Sequence, residues 1–160
     1  MSIEHTKIGF IGTGRMATAL AAGFTRDLVR ASQIFGADPV AASRDMFRRT
    51  VGDAVTLSET ANECLSQADV VFLAVKPQMM QSVLADVRSL LTDDRLVVSI
   101  AAGLTVSKLE SWLPPSCRLI RVMPNTPCLI GRGACGVSRG TYATEQDEQL
   151  VSDLLRTVGL

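Results

Sequence analysis

At 160 residues the chain is long enough for one domain with a substantial core. Its 16 Lys and Arg balance 16 Asp and Glu, so no basic field invites nucleic acid and no polybasic block suggests an anionic membrane. The 4 cysteines form no Cys-x-x-Cys pair and the one histidine is His5, which leaves neither a metal-ligand set nor a Ser-His-Asp triad.

Cys64, Cys117, Cys128 and Cys135 read as buried, reduced thiols, and His5 as a solvated terminal residue. The longest apolar run, Val70 to Val75, is far too short to span a bilayer. The start, Met1-Ser2-Ile3-Glu4-His5, lacks the charged-then-apolar layout of a secretion signal, so a cytoplasmic protein is expected.

The first apolar run, Ile8 to Ile11, is predicted to be a strand that enters a tight turn and leaves as a helix. The turn carries Gly12-x-Gly14-x-x-Ala17, with Thr13, Arg15 and Met16 between. In a dinucleotide site each small residue has a task. Gly12 permits the turn, Gly14 lets backbone approach a pyrophosphate, and Ala17 lets helix and strand pack closely. The free N–H groups and dipole of the new helix then hold the phosphate charge. Alone the pattern is weak, because Gly-x-Gly also occurs where only chain reversal is needed.

Met16, Ala19, Leu20, Gly23 and Phe24 fall at helical spacing, which carries the first helix to about Arg26. Gln33 to Ala37 reads as the second strand, ending in Asp38-Pro39. A helix over Ser43 to Thr50 should turn Met46 and Phe47 inward, and Val55 to Leu57 should form a short strand. Ser58 is the expected cap of a helix through Leu65. Val70 to Val75 is apolar on both faces, the mark of a central strand covered by helices on both sides, and Pro77 ends it. Met80, Val83, Leu84, Val87 and Leu91 line the next helix, and Leu96 to Ile100 the next strand, closed by Ala101-Ala102-Gly103. Thr105 should cap a helix bearing Val106, Leu109 and Leu113, which Pro114-Pro115 ends. Arg118 to Met123 is a sixth strand, broken by Pro124-Asn125-Thr126-Pro127, and Ala134 to Ser138 an edge strand. Thr144-x-x-Asp147 should cap a last helix, with Leu150, Leu154, Leu155 and Val158 on its apolar face.

This alternation predicts an α/β fold: a Rossmann-type, doubly wound, mainly parallel sheet of about six parallel strands plus an edge strand, with helices on both faces. The ligand should then lie across the carboxyl ends of the strands, where strand order reverses. Asp38 closes the second strand, where a carboxylate accepts hydrogen bonds from an adenosine ribose and repels the extra phosphate of NADP. Arg44 and Ser43 could instead bind that phosphate, or simply begin the second helix. Ala74, Val75, Lys76 and Pro77 lie over the crevice, where Lys76 is either a cofactor or substrate contact or a surface charge. Ala101, Ala102 and Gly103 are small enough to leave room for a nicotinamide. Asn125, between two prolines, could bond the carboxamide or ribose, or shape the turn.

Taken together, Ile8-Gly9-Phe10-Ile11-Gly12-Thr13-Gly14-Arg15-Met16-Ala17, Ala74-Val75-Lys76-Pro77, Ser99-Ile100-Ala101-Ala102-Gly103 and Arg121-Val122-Met123-Pro124-Asn125-Thr126-Pro127 resemble pyrroline-5-carboxylate reductase. The first motif is shared with many dehydrogenases, the others are more specific, and the likeness runs through essentially the whole chain. It implies the last step of proline biosynthesis, in which hydride from NADPH, or alternatively NADH, reduces the C=N bond of 1-pyrroline-5-carboxylate to L-proline. A protonated imine is already a good hydride acceptor, so the reaction is compatible with a chain in which no catalytic residue is assigned.

The sequence departs from the family's pattern at two places. Asp38 stands where the family often has a polar residue that favours the NADP phosphate, and Ala61, with Asn62 beside it, stands where an Asn commonly touches the cofactor. The family also continues into a helical domain that forms homo-oligomers and carries a Ser-Gly-x-Gly-Pro-Ala-type segment for the substrate carboxylate. Residues 1–160 correspond to the cofactor domain alone, so the expectation is nucleotide binding with little or no turnover. A related imine or hydroxy-acid reductase and a free-standing dinucleotide-binding module are the alternatives, and the gene downstream of Leu160 discriminates among them.

Overall fold

The run Ile8–Ile11 forms β1, with all four residues buried, because helices cover both of its faces. The computed structural model describes residues 3–159. Met1, Ser2 and Leu160, on which the readings of the leader and of the last residue partly fall, lie outside the described residues. The chain alternates onward through α1 (Arg15–Asp27), β2 (Ile34–Ala37), α2 (Ala41–Val51), β3 (Thr56–Ser58), α3 (Ala61–Gln67) and β4 (Val70–Leu73). The second half runs α4 (Met80–Val87), β5 (Leu96–Ser99), α5 (Val106–Trp112), β6 (Arg118–Pro124), β7 (Cys135–Arg139) and α6 (Glu145–Leu155).

The strands form one sheet of 7 in the order β3-β2-β1-β4-β5-β6-β7. The first six pair in parallel, and β7 closes the edge antiparallel to β6. This is the doubly wound, Rossmann-type architecture, and its order reverses between β1 and β4. The carboxyl ends of those two strands are therefore where a ligand crevice should open.

Alternation along each strand divides the core between the two faces. Ile8, Phe10, Val70, Phe72, Leu96, Val98, Ile120 and Val122 face α1, α2 and α6. There Phe10 stacks on Phe72 with ring centroids 5.0 Å apart, and Phe24 and Phe47 close the aromatic group. Ile11, Val71, Leu73, Val97 and Leu119 face the other way, toward the apolar sides of α4 and α5.

Several expected boundaries shift, each for a local reason. Ser58 is not a helix cap: it ends β3, and its hydroxyl donates to the Thr60 carbonyl at 2.8 Å, leaving Thr60 at the cap position of α3. Met46 is not turned inward, because neighbouring helical residues point about 100° apart; Phe47 is fully buried and Met46 is exposed. α4 ends at Val87 and a 3-10 turn, Arg88–Leu90, delivers Leu91 to the core. β4 stops at Leu73, so Ala74 and Val75 lead out of the sheet rather than extend it. α2 begins at Ala41, two residues before Ser43. Two expected caps form: Thr105 Oγ1 accepts from the Lys108 N–H, and Thr144 and Asp147 make a reciprocal capping box on α6.

Cys64, Cys117 and Cys128 are buried, Cys135 is half-buried, and all four thiols are free. Burial pushes the Cys64 thiol up to about 12 and the Cys117 thiol up to about 11, from an ordinary value of 9.0. The folded values lie above the unfolded one, so this contribution to stability is complete below pH 9 and is lost as pH rises toward the folded values. At pH 8 both thiols should resist alkylation until the chain unfolds, as mass spectrometry after iodoacetamide treatment with and without urea would show. Rapid native-state labelling of Cys64 would contradict its burial.

Candidate functional site

A cavity of about 710 Å³ opens at the carboxyl ends of β1, β2 and β4, at the reversal of strand order. Its floor is built by the turn from β1 into α1. Gly12 has φ +92, and a Cβ there would lie 2.8 Å from the Ala74 carbonyl oxygen, so only glycine fits between the turn and the strand beside it. Gly14 differs. A Cβ at that residue would meet no protein atom within 4 Å, although Gly14 lines the cavity. The absence of a side chain at Gly14 therefore serves the open space rather than internal packing.

Gly14 is also the N-cap of α1, and no side chain caps this end of the 13-residue helix. Its first turn carries no acidic residue. An uncapped helix end facing a cavity offers N–H donors and a partial positive charge to an anion. Thr13 Oγ1 is buried with no hydrogen-bond partner in the same turn. Thr13 itself is fully buried and outside the lining, so the fit to the pyrophosphate of a dinucleotide rests on the open space at Gly14 and the free donors of the helix end.

Asp38 supports the turn from the end of β2. Its Oδ2 accepts from the Thr13 N–H at 2.9 Å and its Oδ1 from the Val40 N–H at 2.9 Å. Both oxygens keep further acceptor capacity, and Asp38 lines the cavity. Ser43 lines it too, from the first turn of α2. Arg44 does not. Its Nη1 donates to the Asp38 carbonyl at 2.6 Å, and its Nη2 pairs with Glu59 Oε1 at 3.3 Å.

The opposite wall comes from the exit of β4, where Ala74, Val75 and the exposed Lys76 line the cavity, while Pro77 starts the adjoining 3-10 turn. Arg15 and Met16 sit in the first turn of α1 outside the lining, and Ala17 is buried behind it, as its packing role requires. Ala101, Ala102, Gly103 and Asn125 follow β5 and β6 on the same edge of the sheet but do not line this cavity. Asn125 Oδ1 accepts from the Ala134 N–H at 2.9 Å, so here its side chain shapes the turn into β7.

The cavity also gathers residues that were not singled out as ligands. Glu59 and Thr60 come from the exit of β3, and Met79, Val83 and Asp86 from α4 and the turn before it. Extending the carboxyl-end rule to β3 would have found the first two; the α4 side needed its packing. The lining carries three carboxylates, Asp38, Glu59 and Asp86, against one lysine, Lys76. Among the described residues there is no group of three His, Cys, Asp or Glu side chains that could hold a metal ion, and no helix is long and apolar enough to cross a membrane.

Comparison with known proteins places this geometry among relatives. A family model described as NADP oxidoreductase coenzyme F420-dependent matches residues 7–103. The chain is 38% identical over 157 residues to pyrroline-5-carboxylate reductase 3 of Rattus norvegicus, covering 98% of this chain and 56% of that protein. A pyrroline-5-carboxylate reductase structure from Coxiella burnetii superposes with a TM-score of 0.90 at 30% identity, over 97% of this chain and 57% of that one. The Plasmodium falciparum pyrroline carboxylate reductase, solved with NADP bound, gives a TM-score of 0.87 at 29% identity, over 99% and 57% of the two chains. The chain thus spans a little over half the length of the relatives it matches.

Proposed function

We propose that this chain, which belongs to the family described as NADP oxidoreductase coenzyme F420-dependent, is the dinucleotide-binding half of a pyrroline-5-carboxylate reductase. The reaction is the NAD(P)H-dependent reduction of 1-pyrroline-5-carboxylate to L-proline, with NADP(H) the cofactor and NAD(H) the alternative. One observation carries this reading: the stretch that folds around the cavity is 38% identical to such a reductase over 98% of the chain.

When bound, the nicotinamide supplies the hydride, so the work of the protein is holding and orienting. Gly12, Thr13 and Gly14 with the first turn of α1 (Arg15, Met16 and Ala17) would hold the pyrophosphate. Asp38 and Ser43 would meet the adenosine ribose, with Arg44 behind them, outside the lining and engaged by the Asp38 carbonyl and Glu59. Ala74, Val75, Lys76 and Pro77 would flank the middle of the cofactor, with Ala101, Ala102, Gly103 and Asn125 toward its nicotinamide end. No catalytic residue is assigned within these 160 residues. The substrate carboxylate and the subunit contacts of a homo-oligomer belong, in this reading, to a helical domain outside them. A cytoplasmic setting, with neither nucleic acid nor membrane as partner, completes the proposal.

Fluorescence titration of NADPH and NADH with the purified chain tests it. Saturable binding with altered nicotinamide emission is the expected result, together with poor or no reduction of 1-pyrroline-5-carboxylate. Failure of both nucleotides to bind would overturn the reading. Robust turnover by these residues alone would overturn the placement of the substrate-holding half elsewhere.

A further inference from the structure

The Arg44 guanidinium lies beside Asp38 at the cavity, yet it is engaged within the protein. It is mostly enclosed, with 17% of its side chain exposed, and donates to the Asp38 carbonyl at 2.6 Å while pairing with Glu59 at 3.3 Å. Glu59 is 76% exposed and lines the same cavity as Asp38 and Ser43. The carboxylate at the end of β2 marks the ribose of the adenosine half. A phosphate on that ribose would enter a wall bearing two carboxylates, beside an arginine whose charge one of them already neutralises.

We infer that Glu59 is a specificity-determining residue, holding Arg44 away from a ribose phosphate and so setting how strongly the site discriminates between NADPH and NADH. The inference rests on the dinucleotide-binding reading above and adds a residue to it. Two effects share one side chain. Glu59 restrains the cation that would recognise the phosphate, and its own negative charge repels that phosphate. Nothing in this arrangement disfavours the bare ribose of NADH, whose hydroxyls bond to a carboxylate acceptor. Glu59 is on the loop after β3 and Arg44 on α2, so the latch links two separate elements.

The latch makes Arg44 the mediator, and that separates it from simple charge repulsion. E59Q, R44A and the E59Q/R44A double variant should be titrated with NADPH, NADH, 2′,5′-ADP and 5′-AMP at fixed ionic strength. The two adenosine nucleotides differ by the ribose phosphate and carry no nicotinamide. E59Q should bind NADPH and 2′,5′-ADP about fivefold more tightly, the scale set by one exposed ion pair, and NADH and 5′-AMP less than about twofold differently. In the R44A background most of that gain should vanish. Because Glu59 is exposed, E59Q should unfold at the temperature of the parent chain, which a thermal scan checks.

The outcomes separate cleanly. An unchanged NADPH-to-NADH ratio in E59Q, with the parent chain binding both, overturns the role of Glu59 and leaves the cofactor reading intact. A gain that persists in full without Arg44 overturns the latch and assigns the effect to repulsion. A parent chain that binds none of the four nucleotides overturns the cofactor reading and this inference with it.

Discussion

Gly12→Val is expected to abolish dinucleotide binding and to destabilise the fold by about 3 kcal/mol, combining strained backbone with overpacking. Gly12 sits at φ +92, a region where a β-branched residue is a genuine outlier. The added Cβ would stand 2.8 Å from the Ala74 carbonyl oxygen and 2.9 Å from its carbon. Those are backbone atoms of the chain leaving β4, tied to β1 by the Ala74 N–H bond to the Ile11 carbonyl at 2.8 Å, so they have little freedom to retreat. The turn must move instead. Its own anchor, the Gly12 N–H bond to the Ala37 carbonyl at 2.8 Å, joins it to β2, so displacement would disturb both neighbours of β1.

Urea unfolding and NADPH titration measure the two parts of this prediction separately. Gly14→Ala is the informative control, since a Cβ there meets no protein atom within 4 Å. It should leave the unfolding midpoint nearly unchanged and still weaken nucleotide binding, because the new methyl enters the space assigned to the pyrophosphate. A Gly14→Ala chain that binds as well as the parent would place the phosphate elsewhere. A Gly12→Val chain of parental stability would contradict the backbone contact itself.

The difference between these glycines also shows what was legible before the fold was known. Gly12-x-Gly14-x-x-Ala17 marked the turn, and the runs Val70 to Val75 and Leu96 to Ile100 read as buried strands, which form over Val70–Leu73 and Leu96–Ser99, because residues buried on both faces leave a continuous apolar record. Adjacent-residue choices were harder. Met46 and Phe47 are both large and apolar, and only the packing of α2 against Phe10 selects Phe47. Ser58 and Thr60 are both good cap residues, and hydrogen bonding at the end of β3 decides between them.

The candidate site divides along the same line. Residues at strand exits were found because strand direction alone places them at one edge: Gly12, Asp38, Ala74 and Lys76 all line the cavity. Arg44 was placed by distance from Asp38 along the chain, which gives its position on α2 but not the partner of its guanidinium. That partner, Glu59, lies 15 residues away on another loop. Asn125 shows the same limit, since its bond to the Ala134 N–H depends on how the chain turns into β7. A side chain's neighbours across the fold, rather than its own element, were the part that local pattern does not encode.

Asp38 is where the two kinds of information meet, and Asp38→Ala is expected to cost about 2 kcal/mol, the scale of a charged hydrogen bond lost to a buried donor. Thr13 is fully buried, and its N–H donates to Asp38 Oδ2 at 2.9 Å. Without the carboxylate that donor is left unpaired, in a turn whose Thr13 hydroxyl already lacks a partner. The Val40 N–H, the other donor to Asp38, belongs to an exposed residue and can turn to water. The loss therefore falls almost wholly on the turn from β1 into α1. Its loosening should weaken NADPH and NADH alike by about tenfold or more, since a small misplacement of positioning groups has large effects.

Asp38→Asn distinguishes support from selection. Its amide oxygen can still accept from the Thr13 N–H, so most of the stability should return, while the negative charge that opposes a ribose phosphate is gone. The asparagine variant should accordingly bind both nucleotides better than the alanine variant and shift the ratio toward NADPH. Thermal unfolding and paired titrations read these effects independently. An alanine variant with parental stability and affinity would show that Asp38 neither braces the turn nor meets the ribose. An asparagine variant as unstable as alanine would show that the charge, rather than the acceptor, holds Thr13.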